Sequence, residues 1–328
     1  MTDSAPISVI IPAYDSEDFI GEAIATVQAQ TLPVAEIIVV DDGSSDRTAE
    51  IAKAHGARVI RQVNRGVSAA RNVGIRAATQ EWIALLDQDD IWAPEKIEYQ
   101  WRAIQFHPDV GIVSCDMNWF EHSDTRGCSA PTGIDGKADL VRKADADPSV
   151  KYFRRVRQEL PLSRTTDNPS SVLIRRDVLM SVGLFDEGLH QNEDLECFLR
   201  VIAQYPLAVV ERSLVKRRLH ARNRSNDSLE ASLSYVKVIE KLRSEPRNYP
   251  PDAAQAYADE PWRLLIDIGR SLLDQGRMRE ARALFIRSLK KTYSHRAVFL
   301  WCLTFLGRAA FKHLLTIKRK LNKKAVAQ

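Results

Sequence analysis

The chain has 328 residues, of which 45% are apolar and 27% charged. That length and balance suit one large globular domain or two smaller ones, and argue against a disordered or a membrane-spanning class. The net charge of +4 hides an asymmetry: after Glu280 there are twelve Lys or Arg and no Asp or Glu, so residues 281–328 carry +12 and the rest carries −8. Such a block points to an anionic surface, either lipid head groups or nucleic acid.

The first third alternates apolar β-type runs with helical patterns. "ISVIIP" (residues 7–12) reads as a buried strand. "DFIGEAIATVQAQ" (18–30) follows with apolar residues at a helical spacing. "EIIVVDD" (36–42) is a second strand, and "SSDRTAEIAKAH" opens with cap-type residues into a helix that stops before Gly56. "ARVIR" (57–61), "VSAARNVGIRAA" (67–78) and "WIALLD" (82–87) continue as strand, helix and strand. Repeated β-α units predict a mainly parallel central sheet with helices on both faces.

"PEKIEYQWRAIQF" reads as the next helix, opened by Pro94, and "VGIVSCDMNWF" as a strand. Residues 121–169 are polar and without clear period, so a long loop with at most short elements is expected there. "SSVLIRRDVLMSVGLFDE" offers a strand and a short helix, and "NEDLECFLRVIAQY" a helix with acids at its positive end. "LAVV" and "LVKRRLH" look like a closing hairpin. From Leu229 the pattern is helical, with breaks at residues 246–251, at Gly276 and near Ser294. The pair around "DQGRMREARALF" has the spacing of one tetratricopeptide-like hairpin, but a single copy makes no repeat array.

Asp3 stands where a signal peptide would be basic, and the apolar run 7–11 stops at Pro12, so a cytoplasmic location is expected. Cys115, Cys128, Cys197 and Cys302 form no CxxC pair and read as reduced, mostly buried thiols. No Cys or His cluster has zinc spacing.

Ligands of such sheets sit beyond the carboxyl ends of the strands, and three strands here end in "PAYD", "DDGSSD" and "DQDD". Those clusters should converge. Asp87 and Asp89, two apart at a strand end, can share one side of the chain, and close carboxylates repel unless a cation lies near them. A hard divalent ion, Mg2+ or Mn2+, relieves that repulsion and completes its shell with phosphate oxygens, which implies a phosphorylated donor. The chain has no GxGxxG after the first strand and no GxxxxGK[ST], so a dinucleotide-dependent dehydrogenase and a P-loop NTPase are disfavoured.

"SVIIPAYDSEDFIGEAIATVQAQT", "EIIVVDDGSSDRTAEI", "NRGVSAARNVGIRAATQEWIALLDQDDIWAPEKI" and "GLFDEGLHQNEDLECFLRV" resemble, in order and spacing, the successive blocks of family-2 glycosyltransferases. The resemblance covers residues 6–225 and implies the GT-A fold, a catalytic domain over residues 1–228 and a helical region over 229–328. It implies transfer of a sugar from a nucleotide-activated donor, usually UDP-linked, with inversion.

By that resemblance Pro12, Ala13 and Tyr14 shape the base pocket, with Tyr14 stacking on the base. Asp42 binds the base edge, Arg71 reaches the nucleotide, Asp87 contacts ribose or metal, and Asp89 is the principal metal ligand. Asp15 stands where the family commonly has Asn. Glu193 and Asp194 match the Glu-Asp motif, with Asp194 expected to be the base that takes the acceptor's proton. His220 and Arg222 fall where the family often closes the diphosphate side, sometimes with a His as a further metal ligand, though a lone His is more often structural.

The acceptor expected is a saccharide or a lipid-linked saccharide, in the building of cell-surface polysaccharide or glycolipid. Residues 296–324 mix large apolar with basic residues, and the apolar run 297–307 is too short to span a bilayer. Either this segment lies on an anionic membrane, inserting Trp301, Phe305 and Phe311 beside Lys312, Lys318, Arg319 and Lys320, or it packs on the catalytic domain. Nucleic acid is a weaker partner for it, because the basic residues are interleaved with an apolar face. Two rival readings remain: a glycoside hydrolase, which also needs two carboxylates but no nucleotide pocket, and a non-catalytic scaffold that recruits partners through the helical region.

Overall fold

The computed structural model describes residues 4–121, 124–129, 149–154, 168–223, 228–250, 260–290 and 293–305. The chain forms two compact units, Met1–Asn226 with Lys241–Ala254, and Asp227–Glu240 with Gln255–Gln328.

The first unit opens with β1 (Ala5–Ala13), α1 (Ile20–Gln28), β2 (Val34–Asp41), α2 (Thr48–Ala54), β3 (Arg58–Arg61), α3 (Val67–Ala77) and β4 (Trp82–Leu85). β1 pairs in parallel with β2 and with β4, and β3 pairs in parallel outside β2. The side chains of β1 alternate between two covered faces, which is why the strand reads as a continuous apolar run. Ile7, Val9, Ile11 and Ala13 join a core with Ile20, Ala23, Ile24 and Val27 of α1. Ile10 points the other way, to α3, and a Cβ on Gly74 would lie 2.4 Å from its Cγ2. Only glycine allows the helix that close.

β5 (Ile91–Trp92), α4 (Lys96–Phe106), β6 (Ile112–Glu121), β7 (Asp124–Ser129), β8 (Val150–Phe153), β9 (Leu173–Arg175), α5 (Arg176–Ser181), α6 (Glu193–Gln204) and β10 (Leu207–Leu219) complete the unit. The sheet runs β3-β2-β1-β4-β9-β6-β10-β5, with β7 beside β6 and β8 beside β10. β9 is antiparallel to both β4 and β6, so the parallel first half continues into a mixed second half.

One expectation is corrected here. The closing hairpin does not form: residues 207–219 are one strand, parallel to β6, and a register shift between Val210 and Ser213 stands where a turn was expected. "ERS" supplies no turn residue with a positive φ, so the strand bulges and continues. Within residues 121–169 the structure contains β7 and β8, each paired to a longer strand. The remainder of that loop region, apart from Glu121, Ser149, Arg154 and residues 168–169, lies outside the described residues.

The second unit holds α8 (Glu260–Asp274), α9 (Met278–Leu289), α10 (His295–Leu303) and the greater part of α7 (Ser228–Ser244). The helical breaks fall where proline, Gly276 and Ser294 predict them. Gly276 takes φ 81° between α8 and α9, and Ser294 caps α10 by accepting from the Ala297 N–H. Leu272, Leu273, Ala281, Phe285, Ala297 and Leu300 form its core. Among the described residues no helix is long and apolar enough to cross a membrane. Cys115 and Cys197 are buried free thiols and Cys302 is an exposed one.

Candidate active site

Because β2, β1 and β4 are neighbouring parallel strands, their carboxyl ends and the three acidic clusters open side by side. Side chains then lace the loops together. Gln88, between the two aspartates, brackets the backbone of Tyr14: its Oε1 accepts the Tyr14 N–H at 2.7 Å and its Nε2 donates to the Tyr14 carbonyl at 3.4 Å. The Tyr14 side chain stays 47% exposed above this bracket. Asp15 sits at φ 43° and accepts from the Ser45 N–H at 2.8 Å, while its own N–H donates to Ser44 Oγ. A carboxylate at this position therefore ties the first loop to the second.

Pro12 and Ala13 are buried within β1, and the Ala13 carbonyl accepts the Asp42 N–H at 2.8 Å. Asp42 is buried, and its oxygens accept from Gln62 Nε2 at 2.7 Å, the Arg65 N–H at 2.9 Å and the Gly66 N–H at 2.8 Å. In this arrangement Asp42 organises the loop that leads into α3.

Arg71, on the first turns of α3, is the hub. Its side chain is buried, donating from Nη2 to Asp87 Oδ1 at 2.7 Å and from Nη1 to Glu193 Oε1 at 2.8 Å. One cation thus joins the end of β4 to the start of α6. Burial would weaken its charge, but Asp87 and Glu193 more than offset this and raise its proton affinity.

Glu193 is committed to that ion pair, whereas Asp194 beside it has Oδ1 on the Leu195 N–H at 2.8 Å. Burial, then the charge of Glu193, push the Asp194 carboxyl up to about 7, against the pull of Arg71. That value suits a group that must be ionised to accept a proton and then hold it.

At the other side, His220 Nδ1 accepts the Arg222 N–H at 3.2 Å, so Nε2 carries the ring proton and donates it to Asp89 Oδ2 at 2.8 Å. The ring stacks on Phe19 with centroids 4.8 Å apart. Asn223 Nδ2 adds a 3.3 Å contact to the same oxygen. Burial, then Asp87, raise the Asp89 carboxyl, and His220 moderates the effect. Arg222 turns to Asp18 at 2.6 Å, and Arg218 donates from Nε to the Asp89 carbonyl at 3.1 Å. Asp90 points away from this group into the interior, where burial, then Asp89, push its carboxyl up to about 7.

The structure therefore brings together Tyr14, Arg71, Asp87, Asp89, Glu193, Asp194 and His220, with Asp42 and Arg222 holding the flanking loops. Gln88 and Asn223 were not expected. Their types and positions carry no periodic signal; only the approach of distant loops reveals them.

Behind Glu193, on the next turn of α6, Glu196 accepts from Arg200 at 2.7 Å, from Lys241 Nζ at 2.9 Å and from Tyr249 Oη at 2.6 Å. These bonds anchor residues 241–249 to the helix that carries the candidate base.

Among the described residues no group of three or more His, Cys, Asp or Glu is placed to hold a metal ion. A closed protein cage is thus not formed there. The oxygen donors of Asp87 and Asp89 instead fit a hard divalent ion that draws most of its ligands from substrate.

A sheet that is parallel at its acidic edge and mixed beyond it, covered by helices, defines the class: a GT-A fold, shared with solved glycosyltransferases. The structure of S. aureus TarS residues 1–349 in complex with UDP-GlcNAc matches with TM-score 0.63 and 16% identity, over 94% of this chain and 91% of that one. A mannosyltransferase from Pyrobaculum calidifontis in complex with GDP-Man and Mn2+ matches with TM-score 0.55 and 18% identity, over 99% and 87%. Residues 8–183, more than half of the chain, match the family described as Glycosyl transferase family 2. The chain belongs to that family. A Rickettsia felis protein described as an uncharacterized glycosyltransferase is 29% identical over 247 residues. The match takes in 73% of this chain but spans only 39% of that relative's length.

Proposed function

We propose that the protein transfers a sugar from a nucleotide-sugar donor, a UDP-sugar in the first instance, to a saccharide or lipid-linked saccharide, with inversion at the anomeric carbon. The observation that carries this reading is the Asp87–Arg71–Glu193 bridge, which ties the donor-side acids to a helix start bearing Asp194. Support comes from the family and from the two fold neighbours, whose ligands are UDP-GlcNAc and GDP-Man.

In the proposed reaction the acceptor oxygen bonds to the anomeric carbon as the bond from that carbon to the diphosphate oxygen breaks. Asp194 Oδ2 takes the acceptor's proton, since Oδ1 is held by the Leu195 N–H and Glu193 is committed to Arg71. Tyr14 stacks on the base, while Asp42 and Gln88 hold the loops around it. Asp89, with Asp87, would hold a divalent cation, Mn2+ or Mg2+, which neutralises charge on the departing diphosphate when bound. His220 donates to Asp89 and so orients it. Arg222, with Arg218, lines the same edge.

Thermal-shift measurements with UDP- and GDP-sugars, with and without Mn2+, test the reading. A metal-dependent shift is expected that Asp89→Ala abolishes; no shift with any donor would sink it.

We assign the catalytic domain to residues 1–228, with 229–328 as a helical region. Residues 281–328 carry the basic block, and in its described part Phe299 and Phe305 are 62% and 58% exposed. These features favour docking on the anionic inner face of a membrane; Phe311 and the later lysines lie outside the described residues. The full chain should co-sediment with anionic vesicles and a chain ending near residue 280 should not. Equal binding by both would end the idea.

A further inference from the structure

Asp90 ends the acidic cluster, yet its carboxylate takes no part in the cluster's open side. It is buried against the turn Pro169–Ser171, whose polar residues Asn168, Ser170 and Ser171 are buried as well. Asp90 Oδ2 accepts from Ser170 Oγ at 2.6 Å and from Asn168 Nδ2 at 3.1 Å, and Oδ1 accepts from the Arg218 N–H at 3.3 Å. A serine hydroxyl has one proton to give. With that proton committed to Asp90, the lone pairs of Ser170 Oγ are left for the Asp87 N–H, which donates to it at 3.0 Å.

The turn itself is held from several sides. Trp92 Nε1 donates to the Ser170 carbonyl at 2.9 Å, and Gln100 Nε2 to the Ser171 carbonyl at 2.8 Å. Asn168 Oδ1 caps the turn through the Ser170 N–H at 2.7 Å. Lys96, fully buried, donates to Gln100 Oε1 at 2.7 Å and lies 4.0 Å over the Trp92 ring. The buried polar groups around these four residues are hydrogen-bonded to one another and to Asp90, so their burial is tolerated and the turn is held in one position.

We propose that Ser170, locked by Asp90, is a positioning residue for donor binding. It fixes the main chain of Asp87 and thereby the carboxylate that Asp87 shares with Arg71. The relay runs Asp87 N–H to Ser170 Oγ–H to Asp90, and Asp87 Oδ1 carries it on to Arg71 and Glu193. Asp90 is then the anchor of the loop that Asp89 and Asp87 share. The inference rests on Asp87 being a donor-side group.

Calorimetric titration of UDP and of GDP in Mn2+ buffer, on the full chain, tests it. Ser170→Ala should weaken nucleotide binding about 10–100-fold, the range for groups that orient a ligand-bearing residue. Ser170→Thr, which keeps the hydroxyl, should restore most of the affinity. Ser170→Cys, of similar volume with a weak donor, should fall between and decides the matter if the alanine variant does not fold. Asp87→Ala is the control. If it loses binding while folded Ser170→Ala or Ser170→Cys binds as wild type does, with only a lower urea midpoint, the relay is merely structural and the inference is wrong. If Asp87→Ala binds normally, or the wild type binds neither nucleotide, the functional reading itself fails and takes the inference with it.

Discussion

Replacing Arg71 by methionine tests the central linkage. The guanidinium is 1% exposed and is the bridge between Asp87 and Glu193. Methionine keeps much of the volume beside Phe185, so the change isolates the charge. Glu193, 4% exposed, loses its buried cation, and breaking a buried pair in this way destabilises by about 3–5 kcal/mol. Asp87 is 32% exposed and keeps water, so its share stays near the exposed-pair range of about 0–1 kcal/mol. The expected loss is therefore about 3–5 kcal/mol, nearly all from the Glu193 side. Arg71→Lys keeps the charge but cannot fork to both acids, and should lose about 1.5–3 kcal/mol, one charged hydrogen bond. Urea unfolding at pH 8 and pH 5 reads both. Burial and then Glu193 raise the Asp194 carboxyl, and Arg71 pulls it down, so without Arg71 the folded chain holds that proton more tightly and the variant's stability falls further as pH rises. The deficit against wild type should shrink at pH 5. A methionine variant within about 1 kcal/mol of wild type at pH 8, or a deficit equal at both pH values, refutes the bridge as a stabilising unit.

Other outcomes follow from neighbouring residues. Asp194 is lifted to about 7, first by burial and then by Glu193, so the folded chain binds that proton first and the group's effect on stability worsens as pH rises from about 4 to 7. Asp194→Asn should stabilise the free protein by about 1–3 kcal/mol at pH 8 and little at pH 4, since a tenfold change in proton affinity is about 1.4 kcal/mol. It should also abolish transfer; urea unfolding with no gain at pH 8 would contradict the burial argument. Glu196 behaves oppositely: burial raises its carboxyl, but bonds from Arg200, Tyr249 and Lys241 outweigh that and lower it. Its contribution is present above the unfolded value of 4.5 and lost as pH falls through the lower folded one. Tyr249→Phe should lose about 1.5–3 kcal/mol at pH 7 and less at pH 3, again by urea unfolding. Gly74→Ala places a Cβ 2.4 Å from Ile10 and 3.2 Å from Val40; a loss of about 1–3 kcal/mol is expected despite the better helix former, and a stabilised variant would show that α3 can move away.

Much of this architecture was legible because the physics that builds it is local. Buried strands such as 7–12 and 82–85 are continuous apolar runs, helices such as α6 carry acids at their positive ends, and Gly276 and Ser294 mark real boundaries. The hairpin expected after residue 207 failed for the complementary reason. A strand that bulges and a strand that turns have the same local composition, and pairing with β6 made the choice. The strands β7 and β8 were hidden likewise, since each is supported by a longer neighbour and not by its own pattern.

The sequence by itself determined the kinds of group at the site: three acidic strand ends, an arginine at the start of a helix, and a Glu-Asp pair at the start of another. What it could not decide was which acid meets which partner. Asp87, Asp89 and Asp90 are nearly identical as letters, yet the fold turns the first to Arg71, the second to His220 and the third into the interior against Ser170. The partners lie 16, 131 and 80 residues away along the chain. Side-chain chemistry is written locally, but burial and proximity, which set the charge and task of each acid, arise only when distant strands are laid side by side.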